Sequence, residues 1–383
     1  MNMKRARYIR RTSELRKLVD RLRNQPVLAV DTESNSLYAY YEQVCLVQLS
    51  AREDGQVTDF IVDPLALDDM SPLGDLLADP QIEIIFHAAE YDIITLKRDF
   101  AYTFSNIFDT MLSARICGWP RTGLGNILEE QFNVKADKKH QRADWSKRPL
   151  PADQLLYAQM DTHYLPALRD ILCDELDRRG RLAEAREIFA ELPDLPPTSH
   201  NFDPEGYWRI NAARNLRRSQ MGIVRELYLL RDEIAKQRDW PPFKIFGDKA
   251  LVRIAELAPR RVEDLYDVKG LNSRLVQREG NHILEAVARG RRAEPPQPPR
   301  RSHNIPAQDI QQRYDALHEW RKERAAERGV ESDVIVSRDT LWALARRHPT
   351  SETELETIPG LGPWRRAEYG AELIAVLAKA NGK

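Results

Sequence analysis

Short apolar runs and longer periodic stretches divide the chain unevenly. Four runs near the N-terminus, PVLAVDTE, VCLVQLS, VTDFIVD and IEIIFHA, are rich in β-branched residues and too short for helices, which predicts strands. The DG of EDGQ lies between the second and third runs and predicts a hairpin. PVLAVDTE is apolar at successive positions before it turns acidic, as in a strand buried on both faces. Beyond IEIIFHA, apolar positions recur at helical spacing to about residue 190. Among these stretches, PLPADQLLYAQMDTHYLPALRDIL reads as one amphipathic helix that starts after Pro151, with Asp153 near its N-terminus. Strands first and helices afterwards predict an α/β domain, a mixed sheet flanked by helices.

Two proline-rich segments without apolar periodicity, residues 192–206 and 291–306, read as linkers. They suggest three domains, at residues 1–200, 207–290 and 307–383. The last two are copies of each other at an ungapped offset of 90 residues. Leu227 matches Leu317, Arg231 matches Arg321, Ile245 matches Ile335, Leu251 matches Leu341, and Gly270-Leu271 matches Gly360-Leu361. The period exceeds that of common solenoid repeats and there are only two copies, so each is expected to be an all-α domain with its own core. In each, a glycine turn (KGL or PGL) leads into a helix whose N-terminus is a place for a phosphate.

Charge follows the same division. The 383 residues carry a formal net charge of −1, but residues 1–200 sum to −7 and residues 201–383 to +6. An acidic first half fits carboxylates gathered around cations, and a basic second half fits attraction to a polyanion. Cys45, Cys117 and Cys173 are odd in number and widely spaced, which points away from a disulfide framework or zinc site. The start MNMKRARYIRR is basic without an apolar stretch after it, and no run of about 18 apolar residues occurs. A soluble protein of the reducing cytoplasm is expected.

Four carboxylates and a phenol are the candidate chemistry. Asp31 and Glu33 end the first apolar strand, and side chains at i and i+2 share a face, so both converge on one point. Asp92 falls in the first or second turn of the helix that begins at HAAEYDI, where it also suits the helix dipole. Tyr157 and Asp161 are four apart on a helix and point the same way. His87, at a strand end, is set aside as structural. Each feature alone has an ordinary structural explanation. Together, four acids on three elements offer hard oxygen ligands for two divalent cations, Mg²⁺ or Mn²⁺, of the kind that drive phosphodiester hydrolysis, and Tyr157 is placed to orient a water.

The order DTE, H-x4-D and Y-x3-D resembles the three exonuclease motifs of the DEDD superfamily, in its tyrosine (DEDDy) branch. The stretches NIFDTMLSARI, TGLGNIL and ADWSKRPLP agree with it, and the two repeats resemble HRDC domains. A DEDDy exonuclease followed by two HRDC domains resembles the bacterial ribonuclease D family over nearly the whole chain. The stretch after DTE, SNSLYAYYEQVCLVQLS, is closer to the exosome-associated nuclear 3′ exonuclease. The resemblance implies an RNase H-like fold and a metal-dependent 3′→5′ exoribonuclease. It would release nucleoside 5′-monophosphates, in the 3′ maturation of tRNA or another structured RNA. By the family's pattern, Asp31, Glu33 and Asp161 would hold the ion that carries the attacking water. Asp31 and Asp92 would hold the ion at the leaving oxygen, and Tyr157 would orient the water. The competing readings are a DNA exonuclease, for which no polymerase or helicase segment is present, and an inactive nucleic-acid scaffold, against which the intact set of acids argues.

Overall fold

The computed structural model describes residues 3–135, 139–198, 201–299 and 307–380; residues 300–306 of the second expected linker lie outside them. Six strands form one sheet: β1 (Arg7–Ile9), β2 (Val27–Ser34), β3 (Val44–Glu53), β4 (Gln56–Val62), β5 (Glu83–Phe86) and β6 (Ile107–Asp109). Their order is β1-β4-β3-β2-β5-β6. β2, β3 and β4 pair antiparallel, whereas β1 joins β4, and β5 joins both β2 and β6, in parallel. The sheet is therefore mixed, as expected. The β3–β4 hairpin turns at Asp54 and Gly55, both at positive φ, the backbone a two-residue turn demands.

Alternation along the central strands feeds two layers of core. Leu28 and Val30 of β2 and Val47, Leu49 and Ala51 of β3 face Leu15, Leu18, Leu73, Leu77, Ile93 and Leu96, which come from helices Thr12–Leu22, Ser71–Leu77 and Glu90–Phe100. The opposite face packs Ala29 and Ile85 with Leu165, Leu168 and Leu172, and Leu46 and Ile61 with Trp145, Leu150 and Ala158. The stretch read as one long helix is two, Ala152–His163 and Leu165–Arg178. Pro166 causes the break: it has no N–H to donate and its ring excludes the carbonyl four residues back, so it sits in the first turn of a new helix instead.

Both repeats have the same helices in register. Arg218–Arg238 corresponds to Gln308–Arg328, Asp248–Leu257 to Arg338–Arg347, and Ser273–Arg292 to Pro363–Ala380. Each has its own apolar core. The matched arginines are buried in both, Arg231 donating to the Phe246 carbonyl at 3.2 Å and Arg321 to the Val336 carbonyl at 3.1 Å.

Two compact units result, and they do not follow the order of the chain. One contains Met1–Ser34, Val44–Thr198 and Ile305–Lys383, so the second repeat belongs with the sheet. Arg328 donates to both oxygens of Glu184, at 3.0 and 2.5 Å, and Glu184 is fully buried. Arg115 pairs with Glu331 and Asp333. Glu187 accepts from the backbone N–H of Trp364 at 2.5 Å and of Arg365 at 3.4 Å. The helix N-terminus offered to a phosphate is thus filled by the protein's own carboxylate. A β-carbon on Gly362 would lie 2.2 Å from Glu187 Cδ, so only glycine lets the carboxylate in. The other unit holds Asn35–Gln43 and Ser199–Asn304. There Tyr40 donates its hydroxyl to Asp232 at 2.7 Å and its N–H to Asp239 at 3.0 Å. The equivalent helix N-terminus is closed by Asn272, which accepts from Leu275 N–H at 2.8 Å.

Candidate active site

Asp31 and Glu33 lie on the same face at the end of β2, opposite Gln48 and Leu46 of β3. Asp92 is the third residue of helix Glu90–Phe100, and Tyr157 and Asp161 project from helix Ala152–His163. The structure brings all five together. Thr32, between the two acids of β2, points to the other face and donates its hydroxyl to Asp92 at 2.5 Å, which ties the second element to the first.

The electrostatics record this convergence. The Asp31 carboxyl is held well above the usual range by burial and then by Asp161, against the Thr32 N–H, which favours the charged form. Glu33 is raised by burial and then by Asp31, Asp161 and Asp92. Asp92 is raised by burial and then by Asp31, with the Thr32 hydroxyl and N–H opposing. Asp161 is raised to about 7 by burial and Asp92. The charges that act on each acid are those of the others. Burial, then Asp161, Glu33 and Asp31, push the Tyr157 phenol upward as well, so its proton stays on through the neutral range. Among the described residues no three His, Cys, Asp or Glu side chains close into a ready ligand cage. The donor set, anionic oxygens short of positive charge, suits hard divalent cations.

Buried polar groups fix the frame around these residues. Asp59 of β4 accepts from Ser50 at 2.7 Å and from the Gln159 amide at 2.6 Å, and lies 2.8 Å from His163 Nδ1. Gln159 and His163 flank Asp161 on its helix, so this cluster pins the helix to the sheet face that carries Asp31. The Tyr157 ring lies tilted against Trp145 with centroids 6.0 Å apart. Trp145 is fixed by Arg148, which donates to its carbonyl at 2.7 Å and grips Asp63 with two nitrogens, at 2.7 and 2.6 Å. Asp109 accepts from the N–H groups of Ala89 and Leu112 at 2.7 and 2.9 Å and so holds the entry to the Asp92 helix. His87 Nδ1 is 2.9 Å from the Thr110 hydroxyl, and burial lowers its pKa to about 4, which favours the neutral ring. The sequence reading did not single out Thr32 or Asp59. An acidic residue inside the apolar run VTDFIVD was the available signal for Asp59.

A 3′-5′ exonuclease family profile matches residues 6–177, and the HRDC domain profile matches residues 220–287 and 310–377. The chain is 32% identical to ribonuclease D of Gluconacetobacter diazotrophicus over 282 residues, 73% of this chain and 70% of that one. It is 33% identical to the exosome complex exonuclease RRP6 of Saccharomyces cerevisiae over 270 residues, 67% of this chain but 36% of that longer one. Among solved structures, Escherichia coli RNase D, described as an exoribonuclease involved in structured RNA processing, superposes with a TM-score of 0.68 at 25% identity over 98% of this chain and 99% of that one. With likeness running from the exonuclease sheet through both helical repeats, the chain belongs to the ribonuclease D family of 3′→5′ exoribonucleases.

Proposed function

We propose that Asp31, Glu33, Asp92, Asp161 and Tyr157 are the catalytic residues, and that the four acids hold two divalent cations, Mg²⁺ or Mn²⁺. The observation that carries this is the mutual elevation of four acids from three separate elements. Acids perturbed by burial and by one another in this way are characteristic of functional sites. Held by these four acids, such cations would relieve their mutual repulsion and would supply the positive charge that an in-line displacement at phosphorus needs. The remaining work falls to the chain. Burial and the neighbouring acids favour the protonated phenol, and its hydroxyl would orient a water by hydrogen bonding. Thr32 fixes the rotamer of Asp92 through their 2.5 Å bond. Trp145 and the Asp59 cluster keep Tyr157 and Asp161 in place.

The substrate is RNA with a free 3′ end, released as nucleoside 5′-monophosphates, and a structured precursor such as tRNA is its natural form. The description of the E. coli relative and the RRP6 likeness support this reading. No helix among the described residues is long and apolar enough to cross a membrane, and no disulfide joins the three cysteines; both are compatible with work in the cytoplasm. The test is hydrolysis of 5′-labelled RNA and DNA of one sequence, and of a tRNA precursor with a 3′ extension. Single-nucleotide ladders from RNA with 5′-monophosphate products are expected. A DNA preference, or cleavage inside the chain, would overturn the assignment.

A further inference from the structure

Gln48 lies on β3 directly across from Asp31. Facing residues of an antiparallel pair put their side chains on the same face, so Gln48 shares the Asp31 face with Leu46 and Ser50, under helix Ala152–His163. It is fully buried, at 0% exposure. Neither its Oε1 nor its Nε2 has a hydrogen-bond partner. Its surroundings offer it little. On β4 it faces Ile61, and along β3 its same-face neighbours are the apolar Leu46 and the Ser50 hydroxyl, which is already engaged with Asp59 and Thr162. An interior amide left unbonded at both ends disfavours folding, and a methionine of the same length would avoid that cost. Opposed β-carbons stand about 4.5–5.5 Å apart, so a glutamine side chain reaches the carboxylate of its partner.

We infer that Gln48 is a positioning residue for the catalytic acids: its Nε2 donates to the Asp31 carboxylate in the cation-loaded enzyme and sets which oxygens Asp31 presents. This rests on the reading of Asp31 as a cation ligand. The orphaned amide is then a group kept against stability because a ligand needs orientation, as outer partners of metal ligands do.

The test compares Gln48→Met and Gln48→Leu with wild type in the full chain. Thermal unfolding in EDTA should show both variants at least as stable as wild type, because the orphaned amide is gone. Titration calorimetry with Mn²⁺ in the absence of RNA should show affinity weakened roughly 10–100-fold. Steady-state assays should show kcat reduced and partly restored by excess Mn²⁺, with KM for RNA unchanged. Wild-type Mn²⁺ affinity in both variants overturns the inference, and so does a lower melting temperature in EDTA for both, which would mean the amide is bonded within the fold. Asp31→Asn serves as the control on the underlying reading. If that variant binds Mn²⁺ like wild type, the cation site itself is misassigned, whatever Gln48 does.

Discussion

If the four acids hold cations as proposed, the cation-free protein should have a stability that depends on pH in a way that one substitution cancels. Asp161 has a folded pKa of about 7 against an ordinary 3.8, so between those values the folded chain binds a proton that the unfolded chain has lost. A raised pKa contributes stability that is complete below about pH 4 and disappears as pH rises through about 7. Three units at ~1.4 kcal/mol each set a ceiling of about 4 kcal/mol. Because Asp161 titrates together with the neighbouring acids, the loss that falls to it alone is about half that ceiling, roughly 2 kcal/mol. At roughly 2–4 °C per kcal/mol for a domain of this size, the EDTA-treated protein should melt some 4–8 °C lower at pH 8 than it would without this burden. Asp161→Asn is neutral at every pH. In EDTA the variant should match wild type near pH 4, exceed it at pH 8 by that margin, and gain little from added Mn²⁺, whereas wild type should recover with Mn²⁺. Differential scanning fluorimetry across pH 4–8, with and without Mn²⁺, reads the difference between the proteins, in which titration elsewhere cancels. Parallel pH curves for the two proteins in EDTA would refute the idea that the acids share an unrelieved charge.

Further expectations concern chemistry and packing. Asp31→Asn and Asp92→Asn keep volume but remove a neutralising charge, so both should fold and lose hydrolysis at any Mg²⁺ or Mn²⁺ concentration; substantial activity in either would exclude that residue as a ligand. Tyr157→Phe should lower kcat roughly 10²-fold with RNA affinity intact, since the ring still packs on Trp145 and only the orienting hydroxyl is gone. A large fall in melting temperature instead would return Tyr157 to a packing role. Gly362→Ala should destabilise the unit that holds the sheet by about 1–3 kcal/mol, because its methyl overlaps Glu187 and must displace that cap; an unchanged denaturation midpoint would show that the cap carries no weight.

The site was legible in the sequence because its spacings are local. The i,i+2 pair on β2 and the i,i+4 pair Tyr157–Asp161 each follow from the period of one element, and Asp92 sits in a helix whose start is marked by the end of an apolar strand. What escaped the reading depends on partners far away in sequence. β1 and β6 have three residues each, too few for any periodicity, and exist because β4 and β5 offer them open edges. The break at Tyr164 follows from Pro166, a signal that reading by amphipathic spacing alone passes over. Gln48 looks like one polar residue in an apolar strand until register sets it against Asp31, and nothing near residue 362 announces that Glu187 will occupy the turn.

That occupied turn means the two repeats are not interchangeable parts, although their helices coincide at a constant offset. Ninety residues before Gly362 stands Asn272, whose side chain would collide with the incoming Glu187, and the positions of Glu331 and Asp333 are held by Pro241 and Phe243, which leave Arg115 nothing to pair with. A second copy of residues 207–290 grafted in place of 307–383 would reproduce the helices and fail to attach. One copy is part of the exonuclease body, attached through Arg115, Glu184 and Glu187. In the other copy the helix N-terminus is closed by its own Asn272, and the copy binds the segment between β2 and β3 through Tyr40 instead.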